Sequence, residues 1–169
     1  MNDFTCHNLA DRPDLLEAVA QAGQETWGKW ESGWLLDDWM ALYRTFMSGQ
    51  GLEQMLVAVN ADGDFAGMAA LTAHELPDHP ALLGWLYDVY IVPQYRQLGL
   101  GSWLSAQVEG LAVGEGLTEL HLATTEAQGF YEGLGWRRFK DCIHNGVPVT
   151  IMHKKLNTFS LREETHGKA

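Results

Sequence analysis

The chain has 169 residues, a length suited to one domain, and 46% of them are apolar, enough for a substantial core. Eleven Lys and Arg against twenty-two Asp and Glu leave a formal charge of −11, which argues against a nucleic-acid partner and toward cationic ones. There is no run of about 18 apolar residues, no basic-headed leader before the polar start Asn2-Asp3-Phe4, and no CxxC between the distant Cys6 and Cys142. The expectation is a cytoplasmic protein with reduced thiols, no membrane span, no disulfide framework and no zinc knuckle.

A first strand is expected over residues 3–8. Asp11 is placed to cap a helix running to about Trp27, with Pro13 in its first turn. A second helix over 35–47 has Asp37 and Asp38 in its first turn, where carboxylates suit the dipole. Apolar runs over 55–60 and 64–73 flank Ala61-Asp62-Gly63, a hairpin signal. Residues 74–80 read as a loop and 82–92 as a fourth strand. Trp103, Leu104, Val108, Leu111 and Ala112 then recur at helical spacing, with Gly114 and Gly116 at the expected stop. Strands over 118–124, 136–143 and 147–155 follow, the last two joined across Asn145-Gly146. The reading is a single domain over 1–156 and a polar tail over 157–169, without repeats.

The most informative stretch ends the fourth strand: Val92-Pro93, then Arg96-x-x-Gly99-x-Gly101 opening the helix. Glycines here let the backbone turn tightly and bring bare N–H groups to a bulky anion, and a helix start adds positive potential. A dinucleotide loop needs a third glycine where Leu104 stands, and a Walker loop needs a Lys that this stretch lacks. A plain strand-to-helix turn is the remaining alternative.

Further along, a short strand ending in Thr124-Thr125 precedes Gly129-Phe130-Tyr131-Glu132-Gly133-Leu134-Gly135-Trp136. Together the two elements resemble the GNAT superfamily of acyl-CoA-dependent N-acetyltransferases, whose members carry V-x-P-x-x-R-x-x-G-x-G and then F-Y-x-x-L-G-[FW]. Here the valine is adjacent to the proline. The matched core runs from about Gln54 to Leu156. The resemblance implies an α/β fold with a mixed central sheet of about six to seven strands, splayed where the cofactor enters, and helices on both faces. It implies acetyl-CoA as co-substrate, no metal, and a primary amine of a small molecule or peptide as acceptor, attacked directly in a ternary complex.

Carried onto this chain, the fourth-strand backbone at Tyr90, Ile91 and Val92 would hold the pantetheine arm. Arg96 and the N–H groups from Gln97 through Leu98, Gly99, Leu100, Gly101 and Ser102 would meet the pyrophosphate. Tyr131 would donate a proton to the departing sulfur; its alternative is an aromatic packed beside Phe130. Many relatives carry Asn six residues before the Phe, where this chain has Thr124, so Thr125 or Thr124 would replace that contact. Asp88 is the candidate base, acting through water; its alternative is a polar residue at a β-bulge or edge, with ordered water alone removing the proton. Dimerisation is common in the superfamily, which makes a homodimer a candidate state, though no segment here signals it.

Acceptor choice is expected in the first fifty residues and in 74–87. Trp30 and Trp34, near Glu31, Asp37 and Asp38, either box an ammonium group or join Trp27 and Trp39 in a packing stripe. Trp85 and Tyr87 alternate on the fourth strand, so one of its faces is expected to look into the cleft. His74 and His79, with Glu75 and Asp78 in the same loop, lack a third well-spaced ligand for a metal. Two other functions stand beside the small-molecule enzyme: a non-catalytic acyl-CoA sensor, and a protein N-acetyltransferase.

Overall fold

The computed structural model describes residues 3–158; most of the tail over 157–169 lies outside them. Seven strands form one sheet in the order β1-β2-β3-β4-β5-β7-β6. They are β1 (Phe4–Asn8), β2 (Gln54–Asn60), β3 (Phe65–Thr72), β4 (Trp85–Ile91), β5 (Glu119–Thr124), β6 (Arg137–His144) and β7 (Val147–Lys155). Every neighbouring pair is antiparallel except β4 with β5. The helices among the described residues are α1 (Leu16–Trp27), α2 (Leu36–Arg44), α3 (Leu100–Gly114) and α4 (Gln128–Gly133). This is a single-domain α/β fold with a mixed sheet of the expected size.

Both faces of the sheet are covered. On one, α3 presents Leu100, Leu104, Val108 and Ala112, four residues apart along one stripe, to Leu56, Ala69, Leu86 and Leu120. Each fully buried aliphatic side chain there contributes about 1.5–3 kcal/mol from burial. On the other face, α1 and α2 set Val19, Ala20, Trp39 and Tyr43 over Met55, Val57 and Met68.

Element boundaries shifted where side chains competed with regular structure. The first helix begins at Leu16, not near Asp11, because Asn8 caps a separate 3-10 turn through Ala10 N–H and Pro13 starts a second one. The second helix is shorter than 35–47: Leu35 is its extended cap, its N–H bound by Asp38 at 2.8 Å. The fourth strand starts at Trp85 because Gly84 takes φ +83, a left-handed value that ends extended structure. The Asn145-Gly146 hairpin has positive φ at both residues, as a type I′ turn requires.

Candidate active site

β4 and β5 are in register only at Trp85 and His121, where His121 N–H donates to Gly84 O at 3.0 Å. Beyond that point the strands part, and the space between them becomes a cavity of about 450 Å³. Its walls include Tyr87 and Asp88 of β4, Thr124 of β5 and the adjoining Thr125, Tyr131 of α4, and the tryptophans between α1 and α2. A parallel pair that separates exposes backbone groups and side chains that a closed sheet would cover, so the splay itself creates the site.

Asp88 owes its position to a bulge. Met68 pairs with Tyr90 and Ala70 with Tyr87, so Asp88 and Val89 together oppose Ala69. Asp88 has φ +48, a left-handed value uncommon for an aspartate, and lines the cavity. Its Oδ2 accepts the Tyr43 hydroxyl at 2.7 Å. Burial raises the Asp88 carboxyl to about 7, against the partial lowering by that hydrogen bond. The bulge and the candidate base are therefore one feature and not alternatives.

Tyr131 lines the same cavity, nearly buried, edge-on to Phe130 at 5.0 Å and to Trp136 at 6.0 Å between ring centroids. Burial, helped by the charge of Glu75, pushes its phenol up to about 12, so it keeps its proton at neutral pH. The Thr124 hydroxyl accepts the Ala127 N–H at 3.0 Å, at the turn into α4. Thr125 also faces the cavity.

The glycine turn stands at the adjoining end of β4. Gly99, at φ +82, is the residue before α3, and the first N–H groups of that helix, at Leu100, Gly101 and Ser102, have no intrahelical partner. There is no acidic residue in the first turn of α3 to compete for an anion. A Cβ at Gly101 would stand 3.4 Å from Phe130 Cζ, in van der Waals contact, so a side chain larger than a methyl would press on that ring. Gln97 also has positive φ, at 63°, which turns the loop toward the helix start. Leu98 is exposed, whereas Leu100 buries its side chain in the core and offers only its N–H. Arg96 Nε donates to Ile91 O at 3.0 Å and thereby braces the loop against β4. Of the three pantetheine candidates, Val92 donates its N–H to Ala66 O, and ladder alternation then turns the Ile91 backbone toward the gap. These features fit an anionic pyrophosphate followed by an extended amide-bearing arm.

The aromatic residues divide. Trp30 and Trp34 are 42% and 38% exposed and line the cavity, with Lys29 Nζ 4.1 Å above the Trp30 ring, while Trp39 of α2 is buried in the core and only borders the cavity. Exposed indole faces and a packed aromatic thus occur in different residues of the same segment. Tyr87 lines the cavity and stacks on Phe46 at 5.8 Å. Trp85 does not join it: it is 0% exposed, packs with Leu76 and Ile151, and donates its indole N–H to Leu82 O at 3.0 Å. The expected two-residue alternation along β4 fails to place Trp85 in the cleft because the strand is still paired with β5 there. Among the described residues, no three His, Cys, Asp or Glu side chains are grouped to hold a metal ion, and no helix is long and apolar enough to cross a membrane.

Two residues of the site have other roles in the sequence reading. Tyr43 reads as one of the aromatics of the acceptor-choice region; it reaches Asp88 only because α1 has glycine at Gly23, where a Cβ would collide with the Tyr43 hydroxyl and ring. Glu75 reads only as a neighbour of His74 and His79 in an incomplete metal cluster. Yet its Oε2 is buried without a hydrogen-bond partner among the described residues, and the carboxyl lies on the cavity wall.

Solved structures that share this fold are acetyltransferases. An aminoglycoside 6'-N-acetyltransferase complexed with coenzyme A matches with a TM-score of 0.73 at 16% identity, over 89% of this chain and 96% of that one. An aminoglycoside 6'-acetyltransferase type Ii gives 0.71 at 19% identity, over 89% and 96%. Ard1 from Thermoplasma volcanium gives 0.69 at 15% identity, over 92% and 99%. At these identities the likeness defines the fold. The acetyltransferase (GNAT) domain model matches residues 51–138, which spans β2 to the start of β6. The chain belongs to the GNAT acetyltransferase family. No curated protein sequence matches it.

Proposed function

We propose that this protein transfers an acetyl group from acetyl-CoA to the primary amine of a small cationic molecule or a peptide terminus, by direct attack in a ternary complex. The observation that carries this reading is one cavity with Asp88 on its β4 wall and Tyr131 on its α4 wall, in a fold whose β4 leads on through the glycine turn to the uncapped N–H groups of α3.

Acetyl-CoA supplies the acetyl thioester when bound. The first N–H groups of α3 hold its pyrophosphate, and the Ile91 backbone and Thr125 line the path of the arm toward the cavity. An alkylamine has a pKa of about 10 in water, so its nitrogen arrives protonated and must lose that proton to become a nucleophile. Asp88 is suited to take it, directly or through a water, because its raised carboxyl is a stronger base than an ordinary carboxylate. The Tyr43 hydrogen bond fixes which Asp88 oxygen remains for that task. Tyr131, a buried phenol that stays protonated, donates its proton to the departing sulfur. Trp30, Trp34 and Tyr87 line the acceptor end of the cavity, where exposed indole faces attract a cation.

The test is release of free CoA, detected as thiol, from acetyl-CoA in the presence of polyamines, aminoglycosides, amino acids and peptide N-termini in turn. Release stimulated by one amine class establishes the reaction and its acceptor class. Peptides alone as stimulants would make it a protein N-acetyltransferase. Acetyl-CoA that raises the melting temperature without release on any amine would leave the acyl-CoA sensor in its place.

A further inference from the structure

The cavity contains a buried group to which the proposed reaction assigns no task. Glu75 stands in the loop between β3 and β4, and its carboxyl enters the wedge that opens between β4 and β5. In a closed parallel pair the Ala123 N–H would bond to β4, as His121 N–H two residues earlier bonds to Gly84 O. Here the strands have parted, and Ala123 N–H instead favours the Glu75 carboxylate. The Oε2 atom has no such partner: it is buried without a hydrogen bond among the described residues, while Glu75 belongs to the wall of a cavity whose lining has no Lys or Arg.

An unpaired buried carboxyl oxygen is costly to desolvate, so one that remains at a folded site points to a donor that arrives from outside. The character of the donor follows from the walls. Glu31, Glu75 and Asp88 line the cavity together with Tyr87, so three carboxyl groups share its walls. Burial and the Asp88 charge raise the Glu75 carboxyl well above the usual range, so a cation beside it would favour its charged form. A quaternary ammonium would satisfy the charge but not the orphaned oxygen. A primary ammonium satisfies both, because it has three N–H donors, and the Tyr43 hydrogen bond leaves Asp88 with a second oxygen to share in the contact.

We propose that Glu75 is the second anchor of the acceptor nitrogen: its free Oε2 takes one N–H of a primary ammonium while Asp88 takes another, which selects primary amines over N-alkylated ones. This rests on the acetyl-transfer reading for the identity of the site, yet it concerns binding and is measurable without turnover. Glu75 is a positioning residue in this scheme, since Asp88 remains the group that removes the proton.

Tryptophan fluorescence tests it, because several indoles line the cavity. Butylammonium and butyltrimethylammonium are titrated into the full chain without acetyl-CoA. The wild type is expected to bind butylammonium at least about fivefold more tightly, the worth of one charge-assisted hydrogen bond. Glu75→Gln is expected to weaken butylammonium by at least about fivefold, to narrow the gap between the two cations, and to leave the acetyl-CoA melting shift unchanged. Equal binding of the two cations by the wild type overturns the proposal, and needs no variant to fold. So does a smaller loss in a folded Glu75→Gln. If Glu75→Gln binds butylammonium normally while amines still stimulate CoA release, this inference fails and the enzymatic reading stands. If the selectivity is as expected but no amine stimulates release, the reverse holds.

Discussion

The two halves of the proposed site are built on different principles. The proposed cofactor half is a contiguous stretch, from Ile91 through Ser102, that offers backbone N–H groups, one left-handed glycine and the start of α3. The acceptor end is assembled from side chains on separate elements: Tyr43 from α2, Glu75 from a loop, Asp88 from the β4 bulge, Tyr131 from α4 and two tryptophans from the turn between helices. A backbone-made site needs particular residues in particular order. A side-chain site needs only that the fold bring them together.

That contrast is tested most severely at Asp88. Asp88→Asn is expected to lower kcat by about 10²–10⁴-fold while the acetyl-CoA melting shift is retained; a loss of both effects together would mean the two ends are not separable. The same carboxyl sets two pH dependences. With its ionisation raised to about 7, wild-type kcat/KM for an amine rises as pH passes upward through that value. Stability runs the other way. The folded chain holds the Asp88 proton between about pH 4 and 7 while the unfolded chain has released it, so unfolding free energy falls as pH rises across that window. Asp88→Asn removes this fall and is expected to be more stable than wild type at pH 8, by about 4 kcal/mol, with little advantage at pH 4, as read by denaturant melts.

Trp85→Ala and Trp30→Ala divide the aromatic residues by role. The first empties a fully buried site and is expected to cost about 3–5 kcal/mol of stability. The second leaves stability within about 0.5 kcal/mol and raises KM for a cationic acceptor by about threefold to tenfold. At the cofactor end, Gly101→Val introduces a side chain where a Cβ already meets Phe130. Acetyl-CoA affinity is expected to fall about tenfold or more, with amine binding by fluorescence unchanged. Tyr131→Phe is the smallest chemical change: kcat is expected to fall about tenfold with both affinities kept, since only the phenolic proton is lost. An unaltered kcat would return Tyr131 to the packing role that its contacts with Phe130 and Trp136 already give it.

How legible each part was follows from the same contrast. Strand and helix order was readable from periodicity, and the Asn145-Gly146 and Gly63 turns from residue type, because these depend on neighbours in sequence. The start of the first helix was misplaced because Asn8 and Pro13 build 3-10 turns ahead of it. Trp85 and Tyr87 looked equivalent by alternation, yet strand pairing hides one and exposes the other. Asp88 was found through the family motif's position, but its bulge appears only in the β3–β4 register. Tyr43 was legible only as an acceptor-region aromatic and Glu75 only as a neighbour of His74 and His79, because the contact of Tyr43 with Asp88 and the burial of Glu75 are made across the fold.

The sequence by itself determined the α/β element order and the glycine-led helix start, since each is written in a short stretch of backbone preference. Tertiary structure alone decided where β4 and β5 part, which carboxylates share the resulting space, and which tryptophans face it. Those outcomes depend on strand register and on contacts between residues as far apart as Tyr43 and Asp88, and no local preference encodes a distance across the fold.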